Sequence, residues 1–193
     1  MTGGQAHDIT QAIAQTNLSG LKQPEKLAFY LNAYNAWILK VMLDHYPTKS
    51  IKDTMYFVFR RNIITVAQKK TSFHALENDV IRKQFNEPRI HFALNCASAS
   101  CPPLHSRAFE IGTLEETLAF LTKDFVTNNP LGLRTLNNDR ELFASKIFEW
   151  YAEDFEKDAG GIVAYLEKIR EKPFPSGAKL KFQDYDWSIN EAR

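Results

Sequence analysis

The stretch "PEKLAFYLNAYNAWILKVMLDHYP", residues 24–47, constrains the fold more than any other. Pro24 suits a first helical turn, and Pro47 cannot continue a helix. Between Leu27 and Leu43, apolar residues fall on nearly every face. A helix without a wet side must be buried, so it is expected at the centre of the core. The 193 residues suffice for one domain built around it.

Asn32 and Asn35 interrupt that helix three residues apart, on one face. A buried amide without partners costs roughly 1–3 kcal/mol, and Asn is a mediocre helix former. Either both amides bond the main chain of a neighbouring loop and fix its shape, or they point into a cleft and orient a catalytic group or a ligand. Tyr34, next to Asn35, fits both readings.

The remaining segments suggest a wrapping of short elements. Residues 7–20 read as an amphipathic helix ending at Gly20. "TMYFVFRRNIITVAQ" reads as two strands with a turn near Arg61-Asn62. "SFHALENDVIRKQF" is a helix capped by Ser72, and "RIHFALNC" a short buried strand. Thr113 and Glu116 form a capping-box pattern ahead of "LEETLAFLTKDFVTNN". A hairpin is expected around Asn137-Asn138-Asp139. Two further helices, "KIFEWYAEDF" and "GIVAYLEKIREK", flank Gly160-Gly161, and a last strand lies in "AKLKFQDYDWSIN". This order predicts an α+β single domain, helix-rich, with the central helix packed on a small, mainly antiparallel sheet. "MTGGQ" resembles part of a common expression tag, so residues 1–23 are set apart as an N-terminal segment, partly tag-derived or truncated. Residues 24–193 are expected to form the globular domain.

Charge excludes one class of partner. Lys and Arg number 24 against 23 Asp and Glu, a net charge of +1, without the basic surplus that binding to nucleic acid requires. Arg60, Arg61, Lys69 and Lys70 read as the solvated face of a hairpin. No run of 18 apolar residues predicts a membrane-spanning helix.

The chemistry concentrates in "RIHFALNCASASCPPL", residues 89–104. On a strand, His91, Ala93 and Asn95 share one side, and Cys96 faces the other. His91 is either a satisfied structural histidine or an acid–base group held by a carboxylate. Glu77 is the candidate carboxylate. His74 shares its face, but two ligands do not make a zinc site. Three readings of Cys96 and Cys101 stay open: a small disulfide, inert buried thiols, or a nucleophile at Cys101 with its direction fixed by Pro102. C-x-x-x-x-C is neither a usual zinc spacing nor the C-x-x-C of a redox dithiol, and no cofactor is expected. Ser98 and Ser100 are small enough for loop N–H groups to line an anion-sized pocket.

Four blocks in order, "KLAFYLNAYNAWILKVMLDHYPTKSI", "FHALENDVIRKQF", "RIHFALNCASASCPPL" and "SKIFEWYAEDF", resemble the domain-of-unknown-function family 547 over residues 26–156. The resemblance implies that Asn32, Tyr34, Asn35, Glu77, His91, Ser98, Ser100 and Cys101 fall in the family's motif blocks. Some members carry serine in place of the cysteines, which argues against a thiol nucleophile common to all. Many relatives read closer to Leu-Asp-Asp-Ile-Glu at "ALEND", so Glu77 is matched and its upstream acid is not. Bacterial relatives often carry an export signal, and a periplasmic or secreted location is the expectation.

Three functions follow. The first is a hydrolase or acyl transferase, peptidase-like, with His91 as base, Glu77 or Asn35 as its orienter, Cys101 or a loop serine as nucleophile, and the "ASAS" N–H groups as oxyanion donors. The second is a module whose Asn32, Tyr34, Asn35, Asn95, Ser98 and Ser100 bind a small molecule or peptide. The third is a structural or interaction domain in which the same polar groups knit helix, strand and loop, with a local disulfide.

Overall fold

A computed structural model of the chain describes residues 2–190, with only the backbone described over 53–57. Met1 and residues 191–193, the end of the expected domain, lie outside the described residues. The fold is α+β, one domain rich in helix with two small sheets. Helix α1 (Gly3–Gln15) packs along α2 (Gln23–His45), the long helix that opens at Pro24 and ends before Pro47. Leu31, Ala33, Tyr34 and Ile38 of α2 are buried together with Ile64, Phe73 and Leu76 from later elements. The all-round apolar character of residues 27–43 therefore finds partners on several sides.

Helix α3 (Ile51–Arg60) replaces the first of the two strands expected over residues 54–68. The hairpin lies further along, β1 (Ile64–Val66) against β2 (Lys69–Thr71), so the turn moves from Arg61-Asn62 to Ala67-Gln68. Both turn residues have positive φ, 48° and 66°, as a two-residue hairpin loop requires. The strain has a local compensation. Ala67 N–H donates to Ile13 O and Gln68 N–H to Ala14 O, at 3.1 and 2.8 Å, capping the last carbonyls of α1.

Helix α4 (73–85) starts at Ser72, whose hydroxyl accepts Ala75 N–H at 3.0 Å. Its middle, Leu76–Ile81, widens into a π-helical stretch that carries Glu77. Such bulges re-aim side chains and recur at functional sites. The strand expected at 89–96 is instead a 3-10 helix, Pro88–Phe92. Pro88 presets the backbone at its first position, and the Glu87 carboxylate accepts Arg89 N–H. Ile90 enters the core around α2, while Phe92 enters a second, aromatic core with Phe125, Phe148, Phe155 and Tyr165. His91 is thereby held at the seam between the two.

Helix α5 (Leu114–Thr127) forms as expected, but the Thr113 side chain makes no capping bond, so the capping box is not formed. Strands β3 (Leu133–Leu136) and β4 (Glu141–Ala144) make the predicted hairpin, with Asn137, Asn138 and Asp139 all at positive φ. Helices α6 (Lys146–Trp150) and α7 (Ala152–Ala159) split the single helix expected there, with the break at Tyr151. Gly160, in the left-handed region, ends α7 ahead of α8 (Ile162–Arg170). Strand β5 (Lys179–Phe182) joins β4 in parallel. The chain then crosses back over the cysteine loop, with bridges at Ser50–Ser188 and Ser98–Ile189.

Candidate functional site

A cleft of about 420 Å³ opens at the seam between the two cores, lined mainly by apolar and aromatic side chains. Tyr34, Glu77, His91, Cys96 and Cys101 all reach it. Asn32, Asn35, Asn95, Ser98 and Ser100 do not line it; they build its frame.

The frame explains the asparagines. Asn32 Nδ2 donates to Phe109 O at 2.9 Å, and its Oδ1 accepts Phe109 N–H at 2.8 Å. Asn35 does the same for the cysteine loop, donating to Ala93 O at 2.9 Å and accepting Asn95 N–H at 3.0 Å. Asn95 then closes the loop on itself: Nδ2 donates to Pro102 O, and Oδ1 accepts Ala97 N–H, both at 2.8 Å. Each amide replaces water for main-chain groups that burial would otherwise leave unpaired.

The same economy takes up three of the four "ASAS" N–H groups expected to line an oxyanion pocket. Ala97 N–H goes to Asn95, and Cys101 N–H to Ser98 O. Ala99 and Ser100 N–H go to Ser188 O and Asp186 O of the C-terminal tail. Ser100 Oγ accepts Asp186 N–H in return, at 2.9 Å. These donors are therefore not free to hold a developing oxyanion.

Both cysteines are free thiols, so the disulfide weighed for Cys96 and Cys101 is not formed. Cys101 is buried, and its Sγ accepts Cys96 N–H at 2.8 Å. Cys96 is half-buried. Its Sγ lies 3.1 Å from Ser98 Oγ and 3.4 Å from Tyr185 Oη, and Ser98 Oγ donates to Tyr185 Oη at 3.0 Å. The neighbouring Cys101 thiol, then the Ser98 and Tyr185 hydroxyls, outweigh burial and pull the Cys96 thiol down to about 6. Burial and the neighbouring Cys96 push Cys101 well up. One proton thus leaves the pair readily and the second does not.

His91 does not hydrogen-bond the cysteines. Its Nε2 lies 2.8 Å from Asp154 Oδ2, and its ring stacks on Tyr151 at 3.9 Å. Arg82 clamps the same carboxylate through two bonds of 2.7 and 2.9 Å and lies 4.9 Å over the Tyr151 ring. Burial works against ionisation of Asp154, but the bonds from His91 and Arg82 prevail and hold its carboxyl far below the usual range. Glu77 is not the partner of His91. It accepts Tyr151 Oη–H at 2.6 Å and Tyr34 Oη–H at 3.4 Å, so it supports the ring on which His91 stacks. His74 pairs with Asn78, and no group of three metal-ligating side chains occurs among the described residues.

Asp154, Arg82, Tyr151 and Tyr185 were not among the residues singled out from the sequence. Two signals for them exist. Tyr151 and Asp154 are three apart in "EWYAEDF", and Tyr185 and Trp187 alternate in "DYDW" with the period that places both on one side of an extended chain. Trp150, Tyr185 and Trp187 pack together on the cleft wall, with ring centroids 4.6–5.6 Å apart.

The sequence model of DUF547, described as a protein of unknown function, matches residues 18–126, more than half of the chain. The chain belongs to this family. No curated protein and no solved structure matches it. The DUF547 segment supplies α2 with Tyr34, the π-helical stretch with Glu77, the 3-10 helix with His91, and both cysteines. Tyr151, Asp154, Tyr185 and the two tryptophans come from beyond it, so the cleft is completed by the C-terminal third of the chain.

Proposed function

We propose that the cleft is the active site of a thiol-dependent hydrolase or acyl transferase acting on apolar or aromatic acyl groups. The observation that carries this reading is the position of Cys96: an ionisable, half-buried thiol, bonded by Tyr185 and Ser98, that lines the same cleft as a His91–Asp154 pair. The nucleophile in this reading is Cys96 rather than Cys101, because Cys101 is buried and its thiol resists ionisation.

The thiolate attacks the acyl carbonyl and forms a thioester. His91, holding at Nδ1 (the nitrogen that Asp154 does not engage) the proton released by the Cys96 thiol, gives it to the departing group. It then takes one from the water or acceptor that attacks the thioester, and Cys96 leaves as thiolate. Asp154 fixes the tautomer and orientation of the imidazole, and Arg82 fixes Asp154; both are positioning residues. Glu77 acts one step further out, through Tyr151.

One observation favours a second reading, a cleft that binds a small apolar ligand without chemistry. The N–H groups of residues 97, 99, 100 and 101 are all engaged, so none of these four is free to stabilise an oxyanion.

A panel of aryl esters and thioesters of graded acyl length separates the two. The catalytic reading expects an acyl adduct on Cys96 by mass spectrometry and turnover lost in Cys96→Ala and His91→Ala. Binding of the same compounds with no adduct, and release no faster than with Cys96→Ala, decides for the binding module.

A further inference from the structure

The acyl chemistry uses one thiol, yet the cleft holds two. Cys101 Sγ lies 2.8 Å from the main-chain nitrogen of Cys96, and both cysteines line the same cleft. The residues between them form a compact turn, with Ala97 at φ 64° and Cys101 N–H on Ser98 O at 3.0 Å. The ends of that turn are tied independently of the sulfurs, through Asn95 Nδ2 on Pro102 O and through the tail on Ala99 and Ser100. The frame therefore holds the Cys101 side chain against the main chain of Cys96 within one short turn, without help from a sulfur–sulfur bond. The other walls are aromatic: Trp150, Tyr151, Tyr185 and Trp187 would accept an apolar body and exclude water from the sulfur.

We propose that Cys96 and Cys101 form a two-thiol redox centre that reduces organic hydroperoxides. The Cys96 thiolate attacks the terminal peroxide oxygen. A sulfur–oxygen bond forms, the oxygen–oxygen bond breaks, and the alkoxide leaves as alcohol after taking a proton from the cleft. Cys96 is then a sulfenic acid. The Cys101 thiol attacks it, a disulfide forms and water departs, so that one hydroperoxide is reduced by two electrons drawn from the two thiols. An external dithiol returns the centre to the free thiols of this structure by exchange. The arrangement differs from a C-x-x-C dithiol at a helix N-terminus, since a turn, a tyrosine and an aromatic cleft surround the attacking sulfur instead. It stands whether or not the free Cys96 thiolate also serves acyl transfer.

The test uses the full chain, reduced and freed of oxygen, with one equivalent of cumene hydroperoxide at neutral pH. The expected product is a monomer that has lost two hydrogen atoms by intact mass and has no titratable thiol, with both thiols restored by dithiothreitol. With excess dithiothreitol, hydroperoxide is consumed catalytically. Cys101→Ala stops at a sulfenic acid that dimedone traps, and its turnover falls more than about tenfold. Cys96→Ala gains no oxygen. Three outcomes overturn the proposal: a wild-type chain that keeps oxygen on Cys96 while Cys101 stays free, disulfide-linked dimers in place of the internal bond, or hydroperoxide that remains unconsumed. The wild-type mass alone decides, so the inference does not depend on how well the variants fold.

Discussion

Asn35 and Asn95 meet across sixty positions of sequence: Asn35 Oδ1 accepts Asn95 N–H at 3.0 Å while Asn35 Nδ2 donates to Ala93 O at 2.9 Å. The buried helix thus dictates where the cysteine loop begins. Asn35→Ala leaves a buried N–H and a buried C=O without partners, and is expected to lower stability by about 1–3 kcal/mol in urea denaturation. It should also alter the reaction rate of Cys96 with iodoacetamide, since the loop loses its anchor. A stability loss with unchanged thiol reactivity would show that the loop does not depend on α2.

How far the sequence revealed this arrangement varies from residue to residue. The central helix, the Asn137–Asp139 hairpin and the Ser72 cap were legible because each rests on local chemistry: apolar content, turn residues and a hydroxyl at the right offset. The bonding role of Asn32 and Asn35 was one of two readings their burial left open. The 3-10 helix at His91 was not legible. Ile90, His91 and Phe92 are all buried, and a short apolar run with no wet face carries no period to distinguish helix from strand. The His91–Asp154 pair spans sixty-three residues and depends on a helix break at Tyr151 that nothing in the local composition marks. The C-terminal tail lies outside the family segment, and its reach to Cys96 is a tertiary fact.

Asp154 provides a pH test. Burial opposes its ionisation, but His91 and Arg82 hold its folded-state carboxyl well below the unfolded value of roughly 3.9. A depressed carboxylate stabilises the fold above the unfolded value and loses that contribution as pH falls toward the folded one. Asp154→Asn should therefore cost about 1–3 kcal/mol at pH 7, and the difference from wild type should shrink as pH falls from about 5 to about 3. Thermal unfolding across that range checks it. A constant difference would mean that the ionised state of Asp154 is not what stabilises the fold.

The cysteine pair gives a second pH dependence, with a maximum. The Cys96 thiol ionises near 6 in the folded chain, below the unfolded value of roughly 8.5, so its contribution is lost as pH falls from about 8.5 through 6. Cys101 is shifted the other way, so its contribution is present below roughly 8.5 and lost as pH rises beyond it. Relative to a Cys96→Ala, Cys101→Ala double variant, the reduced wild-type protein should be most stable near pH 8 and lose the advantage on both sides. Denaturation midpoints of the two proteins from pH 5 to about 10 measure it, and a difference independent of pH would show that the pair does not share its protons as described.

Tyr185 tests whether the tail activates the thiol or merely covers it. Its Oη lies 3.4 Å from Cys96 Sγ and accepts Ser98 Oγ–H at 3.0 Å, so a phenolic proton aimed at the sulfur favours the thiolate. In Tyr185→Phe the ring still fills the wall beside Trp150 and Trp187, and the hydroxyl alone is missing, as donor to Cys96 and as acceptor of Ser98 Oγ–H. The midpoint of iodoacetamide labelling against pH should move upward from near 6, by up to about one unit. The Cys101 thiol and Ser98 still act on Cys96, so the shift should fall short of the ordinary cysteine value. Stability should change little beside the effect on labelling, because no buried partner is left charged. Ending the chain after Gln183 also removes the bonds to Ala99 and Ser100, and is expected to raise the midpoint further. An unmoved midpoint in Tyr185→Phe would reduce the tail to a cover and leave Cys101 and Ser98 as the source of the thiol's acidity.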